Sequence, residues 1–180
     1  MKNRTIKTTN LEVEMFSEFK RFCNLLGGDR IEYKDIVFPE ITKLSCYKGS
    51  EKLFEGILVD GEYFVNATPH ELKFAEKDVK IDGSVFLAKK LSARPVERVV
   101  AKIGVDEDIK IVTTEFEPTE EGERLAEIAR ELGINLVGSI ISAQAYGYPP
   151  VVSPITTPET SRLPPPQRKV YLYKWNAYIK

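Results

Sequence analysis

IKIVTTEFEPTEEGERLAEIARELGINLVGSIIS, residues 109–142, is the stretch whose reading decides the fold class. Ile109 to Phe116 is rich in β-branched residues. Thr119 to Leu132 sets Leu125, Ile128, Ala129 and Leu132 on one face at helical spacing, and Ile134 to Ser142 is apolar again. Acids crowd the positive end of this helix and Gly133 supplies its natural stop. A strand, a helix and a strand joined by short loops predict a parallel crossover, so part of the sheet is predicted to be parallel.

Upstream the signals are antiparallel. Short β-branched and aromatic runs from Asp35 to Asn66 break at Lys48-Gly49-Ser50 and at Asp60-Gly61, a two-residue hairpin signal, which predicts a three-stranded meander. A second Asp-Gly at 82–83 predicts a hairpin joining DVKI to SVFLAKKL. Residues 11–26 predict a helix that buries Phe16, Phe19, Phe22, Cys23 and Leu26 and stops at Gly27. Thr68-Pro69-His70-Glu71 has the form of a capping box and predicts a short helix over 69–76. Ser92 to Ile103 predicts another, with Val96, Val99, Val100 and Ile103 as its apolar stripe.

Beyond Ser142 the texture changes. Seven prolines between Pro149 and Pro166 oppose a helix or a central strand, so residues 143–168 read as an extended arm. The close, KVYLYKWNAYIK, alternates at Tyr171, Tyr173, Trp175, Ala177 and Ile179, and predicts that 169–180 is a strand packed on the core or on a partner. The expected fold is a single α/β or α+β domain: a core over 1–142 whose mixed sheet combines antiparallel hairpins with one parallel strand-helix-strand crossover, then the proline-rich arm and the C-terminal strand.

With 180 residues, 42% hydrophobic and 29% charged, the chain is long enough to bury one core. No apolar run approaches the roughly 20 residues that cross a bilayer, and MKNRTIKTTN lacks the apolar stretch of a signal peptide, so a soluble, cytoplasmic protein without a membrane partner is expected. Cys23 and Cys46 stand far apart with no zinc spacing, which suits a reducing compartment and argues against a disulfide framework. Few Gln, one His and abundant Lys, Arg and Glu make the composition thermophile-like.

The formal net charge of -1 hides segregation. Residues 89–102 carry five cations and one acid, 106–131 ten acids and three cations, and 160–180 five cations without an acid. Those segments face either a partner or each other. Lys89, Lys90, Arg94, Arg98, Arg162, Arg168, Lys169 and Lys174, with Trp175 as a stacking surface, are therefore the candidate nucleic-acid or partner-binding residues.

Catalytic signals are sparse. There is no phosphate-binding glycine loop, and Glu115, Glu117, Glu120 and Glu121 occupy the end of the crossover where one is expected. A metal-dependent nuclease is the enzymatic alternative, built on Asp29, Glu32 and Asp35 beside Lys34 or on Glu115 and Glu117. His70 is the sole histidine, and Cys46 is its only conceivable nucleophilic partner. No catalytic set, metal or cofactor is assigned. The leading expectation is a noncatalytic interaction subunit of an assembly, one that handles RNA or DNA in a ribonucleoprotein or defence complex. It is expected to form a two-fold homodimer and to take other protein subunits or single-stranded nucleic acid as partners; a homo-oligomeric structural protein is the remaining alternative.

Overall fold

The computed structural model describes residues 3–7, 15–37, 40–104 and 109–180. In chain order the elements are β1 (Asn3–Lys7), α1 (Ser17–Leu25), β2 (Arg30–Val37), β3 (Ile41–Lys48), β4 (Glu51–Val59), β5 (Glu62–Asn66), β6 (Leu72–Lys73), β7 (Lys80–Ile81), α2 (Val85–Lys90), β8 (Ala93–Ile103), β9 (Ile109–Pro118), α3 (Glu120–Leu132), β10 (Ile134–Val137), α4 (Ile140–Tyr146), β11 (Val151–Thr156) and β12 (Val170–Ala177). One eight-stranded mixed sheet runs β1-β2-β3-β4-β5-β10-β11-β12, while β6-β7 and β8-β9 form two small antiparallel sheets of their own.

The antiparallel half follows its turns. Asp60 and Gly61 both take positive φ, as the tight turn between β4 and β5 requires, and the meander starts earlier than expected and has four strands rather than three. The parallel half differs in its partners. β10 lies between β5 and β11, parallel to both, so α4 provides the crossover to β11. β9 never enters the main sheet. The expected strand over 134–142 stops at Val137, because Ser139 caps α4 by accepting the Ser142 amide at 3.1 Å.

Two apolar clusters pack the two faces of the sheet. On one face Phe19, Phe22, Leu87, Leu125, Ala129 and Tyr146 bring all four helices down onto Leu44, Phe54, Val65 and Leu136. Burial on α3 falls on Leu125, Ala126 and Ala129, with Ile128 and Leu132 at the margin. On the opposite face Leu72, Phe74, Val79 and Ile81 cover Ile57, Phe64, Val137 and Val152.

Four local expectations fail for identifiable reasons. Residues 93–103 are strand β8, not helix: a bulge between Val99 and Ala101 inserts Val100 as an extra residue against β9, which turns a period of two into spacings of three and four. Residues 69–76 are not helical, because the buried Asn66 side chain accepts from Thr68 N–H at 3.0 Å and donates to the carbonyls of His70 and Asp82 at 2.8 and 3.0 Å. Asp82-Gly83 is not a hairpin turn; Gly83 lies so close to the Pro69–His70 backbone that a Cβ there would clash, and Ser84 then caps α2. Cys23 and Cys46 form a disulfide between α1 and β3, both fully buried, with Cα atoms 5.6 Å apart. The fold folds Cys46 under the helix, and the argument from cysteine separation to a reducing compartment loses its basis.

The segment 143–168 does not run as a continuous extended arm. It holds the end of α4, strand β11 and a 3-10 turn at Pro165–Gln167. Pro154 is tolerated inside a strand flanked on both sides because β10 ends opposite Val152, so no neighbour awaits its missing N–H. β12 pairs antiparallel with β11 of its own chain. Of the predicted helix over 11–26, residues 17–25 are helical, and 11–14 lie outside the described residues.

Candidate interaction surface

β8 and β9 form a two-stranded ribbon outside the main sheet. Ala93 and Phe116 at its base pack on the helical cluster, and the rest emerges. The pairing Arg94↔Glu117, Val96↔Glu115, Arg98↔Thr113 puts cations and acids of the stem on one face. Arg98 bonds Glu117 at 2.6 Å and also bonds Glu115; Arg94 reaches Glu117 at 3.3 Å. Lys90, at the end of α2, pairs with Glu121 at 2.7 Å and lies over the Phe86 ring. Lys89 is exposed on the same helix. The basic segment 89–98 and the acidic segment 115–121 therefore face each other, and three of the four proposed cations there are neutralised within the chain.

Beyond the ion pairs the ribbon is apolar. Val99, Val100, Ile103, Ile109, Ile111 and Val112 are each between 43% and 59% exposed. By strand alternation Val99 and Val112 lie on one face and Ile103, Ile109 and Ile111 on the other, with Val100 at the bulge between them. Six large β-branched side chains on a ribbon whose outer edges have no strand partner among the described residues make an exposed patch of a kind that folded chains rarely leave uncovered.

The C-terminal candidates are dispersed. Trp175 is half-buried, stacked on Phe64 at 4.8 Å and edge-on to Phe74 at 6.2 Å, with its indole N–H donated to Leu172 O. Lys174 lies over the Tyr171 ring, and Arg168 donates to Leu163 O at 2.9 Å. Arg162 is exposed, and Lys169 shares a cleft with Lys73, Lys77 and Lys80 and with the acids Glu76 and Asp78. The strict alternation expected along β12 breaks, since Val170 and Leu172 are its buried residues.

A polar cluster that the sequence did not reveal sits on the sheet face opposite the helices. Glu55 is almost completely buried; it accepts from Ser45 Oγ, Lys52 Nζ and the Asp82 amide, each at 2.8 Å, with Lys43 at 3.4 Å. Burial works against the charge on Lys52, but hydrogen bonds to Asp82 and Glu55 outweigh it and raise its pKa well above the ordinary lysine value. The same Lys52 contact lowers the pKa of Asp82. The arrangement is a satisfied structural network.

The enzymatic alternatives gain no geometry. Glu115 and Glu117 are held by arginines, Asp35 accepts from Thr42 Oγ1, and Asp29 accepts the Gly49 amide. Among the described residues no three His, Cys, Asp or Glu side chains converge, and Cys46 is bonded to Cys23 rather than placed as a thiol for His70. No helix among the described residues is long and apolar enough to cross a membrane. Compared with known proteins, the chain matches no family model, no curated protein and no solved structure.

Proposed function

We propose that the protein is a noncatalytic subunit that assembles through the β8-β9 ribbon, with a second copy of itself as first partner. The exposed apolar ribbon carries this reading. A two-stranded ribbon is marginal in water by itself, and covering six β-branched side chains would remove its apolar surface from solvent. Its stem is charge-balanced internally through Arg94, Arg98, Glu115 and Glu117, so it offers a polyanion little attraction and a like surface no repulsion. A two-fold pairing brings identical apolar patches together.

Light scattering on a sizing column tests this. The full chain is expected to run as a dimer and the double variant Val99→Asp, Val112→Asp as a folded monomer. A wild-type monomer at the highest soluble concentration contradicts it. A nucleic-acid role rests on the other cation-rich region, where Lys169 joins Lys73, Lys77 and Lys80. Glu76 and Asp78 line the same cleft, so its four lysines leave a net excess of two positive charges. On that reading single-stranded RNA binds with an affinity whose logarithm falls by roughly 0.7 per contacted phosphate with log salt, and Lys169→Gln lowers that slope. No binding at low salt removes it.

A further inference from the structure

β5 and β10 are adjacent and parallel and end together at Asn66 and Val137. From there the chain leaves in opposite directions. After β5 it covers one face of the sheet with Leu72 and Phe74, whereas after β10 it enters α4, whose Ala143 and Tyr146 pack on the other. Such a divergence at the carboxyl ends of parallel strands opens a crevice where ligands of α/β sheets collect. Here it has a volume of about 620 Å³, within the usual range for small-molecule sites.

We propose that this crevice binds an uncharged, largely apolar small molecule of about two or three fused rings. Its walls are Pro69, Leu72, Ala88, Ile140, Ile141 and Pro154, and among the described residues no Asp, Glu, Lys or Arg lines it. A charged ligand would lose hydration there and find no counter-charge. The hydroxyls of Thr68 and Ser142 are committed to Asn66 Oδ1 and Leu91 O at 2.6 and 2.8 Å. Ser139 Oγ accepts from the Ser142 amide at 3.1 Å and donates to Ser142 Oγ at 3.3 Å, which leaves Ser92 and His70, both exposed residues of the wall, to orient the ligand's single polar group. The site is preformed: Asn66 ties residues 68–70 to Asp82, and Gly83 lets the two backbones touch.

Nuclear magnetic resonance on the full-length protein, with 2-naphthol as probe and 2-naphthoate as its anionic counterpart, tests the proposal. Naphthol is expected to give saturable shifts at the Ile140 and Ile141 methyls and the His70 ring, and naphthoate to bind at least about tenfold more weakly. Ala88→Phe, which fills the cleft, is expected to abolish the shifts, and His70→Ala, at an exposed position that keeps the fold, to weaken them. Naphthoate binding as tightly as naphthol, shifts centred on Val99 and Val112 of the ribbon, or no saturable shift with naphthol would each overturn it.

Discussion

Glu55 shows how much a single buried side chain organises here. It joins β3, β4 and the turn before α2, and Glu55→Ala strands Ser45 Oγ and the Asp82 amide and leaves Lys52 with Asp82 alone. The expected cost is about 3 kcal/mol, the lower end for breaking a buried pair, read as a shift in the denaturant midpoint. Asp82 adds a pH dependence. Its folded pKa lies below its unfolded value, so its stabilisation is present above the ordinary carboxylate range, about pH 4, and is lost as pH falls through the folded value. Melts of wild type and Asp82→Asn should differ at neutral pH and converge in strong acid. Trp175→Ala is expected to lower the melting temperature, because the ring is packed on Phe64 and Phe74; the tail's aromatic signal in the sequence records packing at this residue. Gly122 is a sterically required glycine, since a Cβ there would overlap the Tyr146 hydroxyl that bonds Ser92 O and the Thr119 amide. Gly122→Ala is expected to cost about 1–3 kcal/mol by overpacking.

Among elements, those whose turns and caps are local were legible. Gly133 ends α3 in the left-handed conformation and Asp60-Gly61 turns β4 into β5, both as the sequence predicts, while Thr119, expected as the first helical residue, is the cap of α3. What the sequence concealed depends on contacts far along the chain. The Val99–Ala101 bulge exists only against β9 and makes a strand imitate a helix. Asn66 overrides a capping-box pattern by bonding a segment sixteen residues away. The disulfide needs α1 to dock on β3 before its cysteines meet. It closes a separation of 23 residues, and its reduction is expected to cost about 3 kcal/mol in the chain-entropy model, measured by denaturation with and without reductant. Charge segregation was visible, but not that Arg94 and Arg98 would meet Glu115 and Glu117 across one ribbon.

At the scale of the whole molecule, the main sheet is packed on both faces, every buried side-chain polar atom among the described residues but Ser153 Oγ has a hydrogen-bond partner, and two features remain unexplained by stability. One is the carboxyl-end crevice. It was hidden because β10, four residues long, had to be recognised as the parallel neighbour of β5, seventy-one residues earlier. The other is the ribbon, whose apolar flanks are the strongest sign of an assembly. Amide hydrogen exchange, followed as a function of protein concentration, tests that claim most directly. The account predicts that amides within β8 and β9 gain protection as concentration rises, while those of β3, β4 and β5 are unchanged. Protection of the ribbon that does not depend on concentration, or a gain confined to residues 160–180, would contradict it.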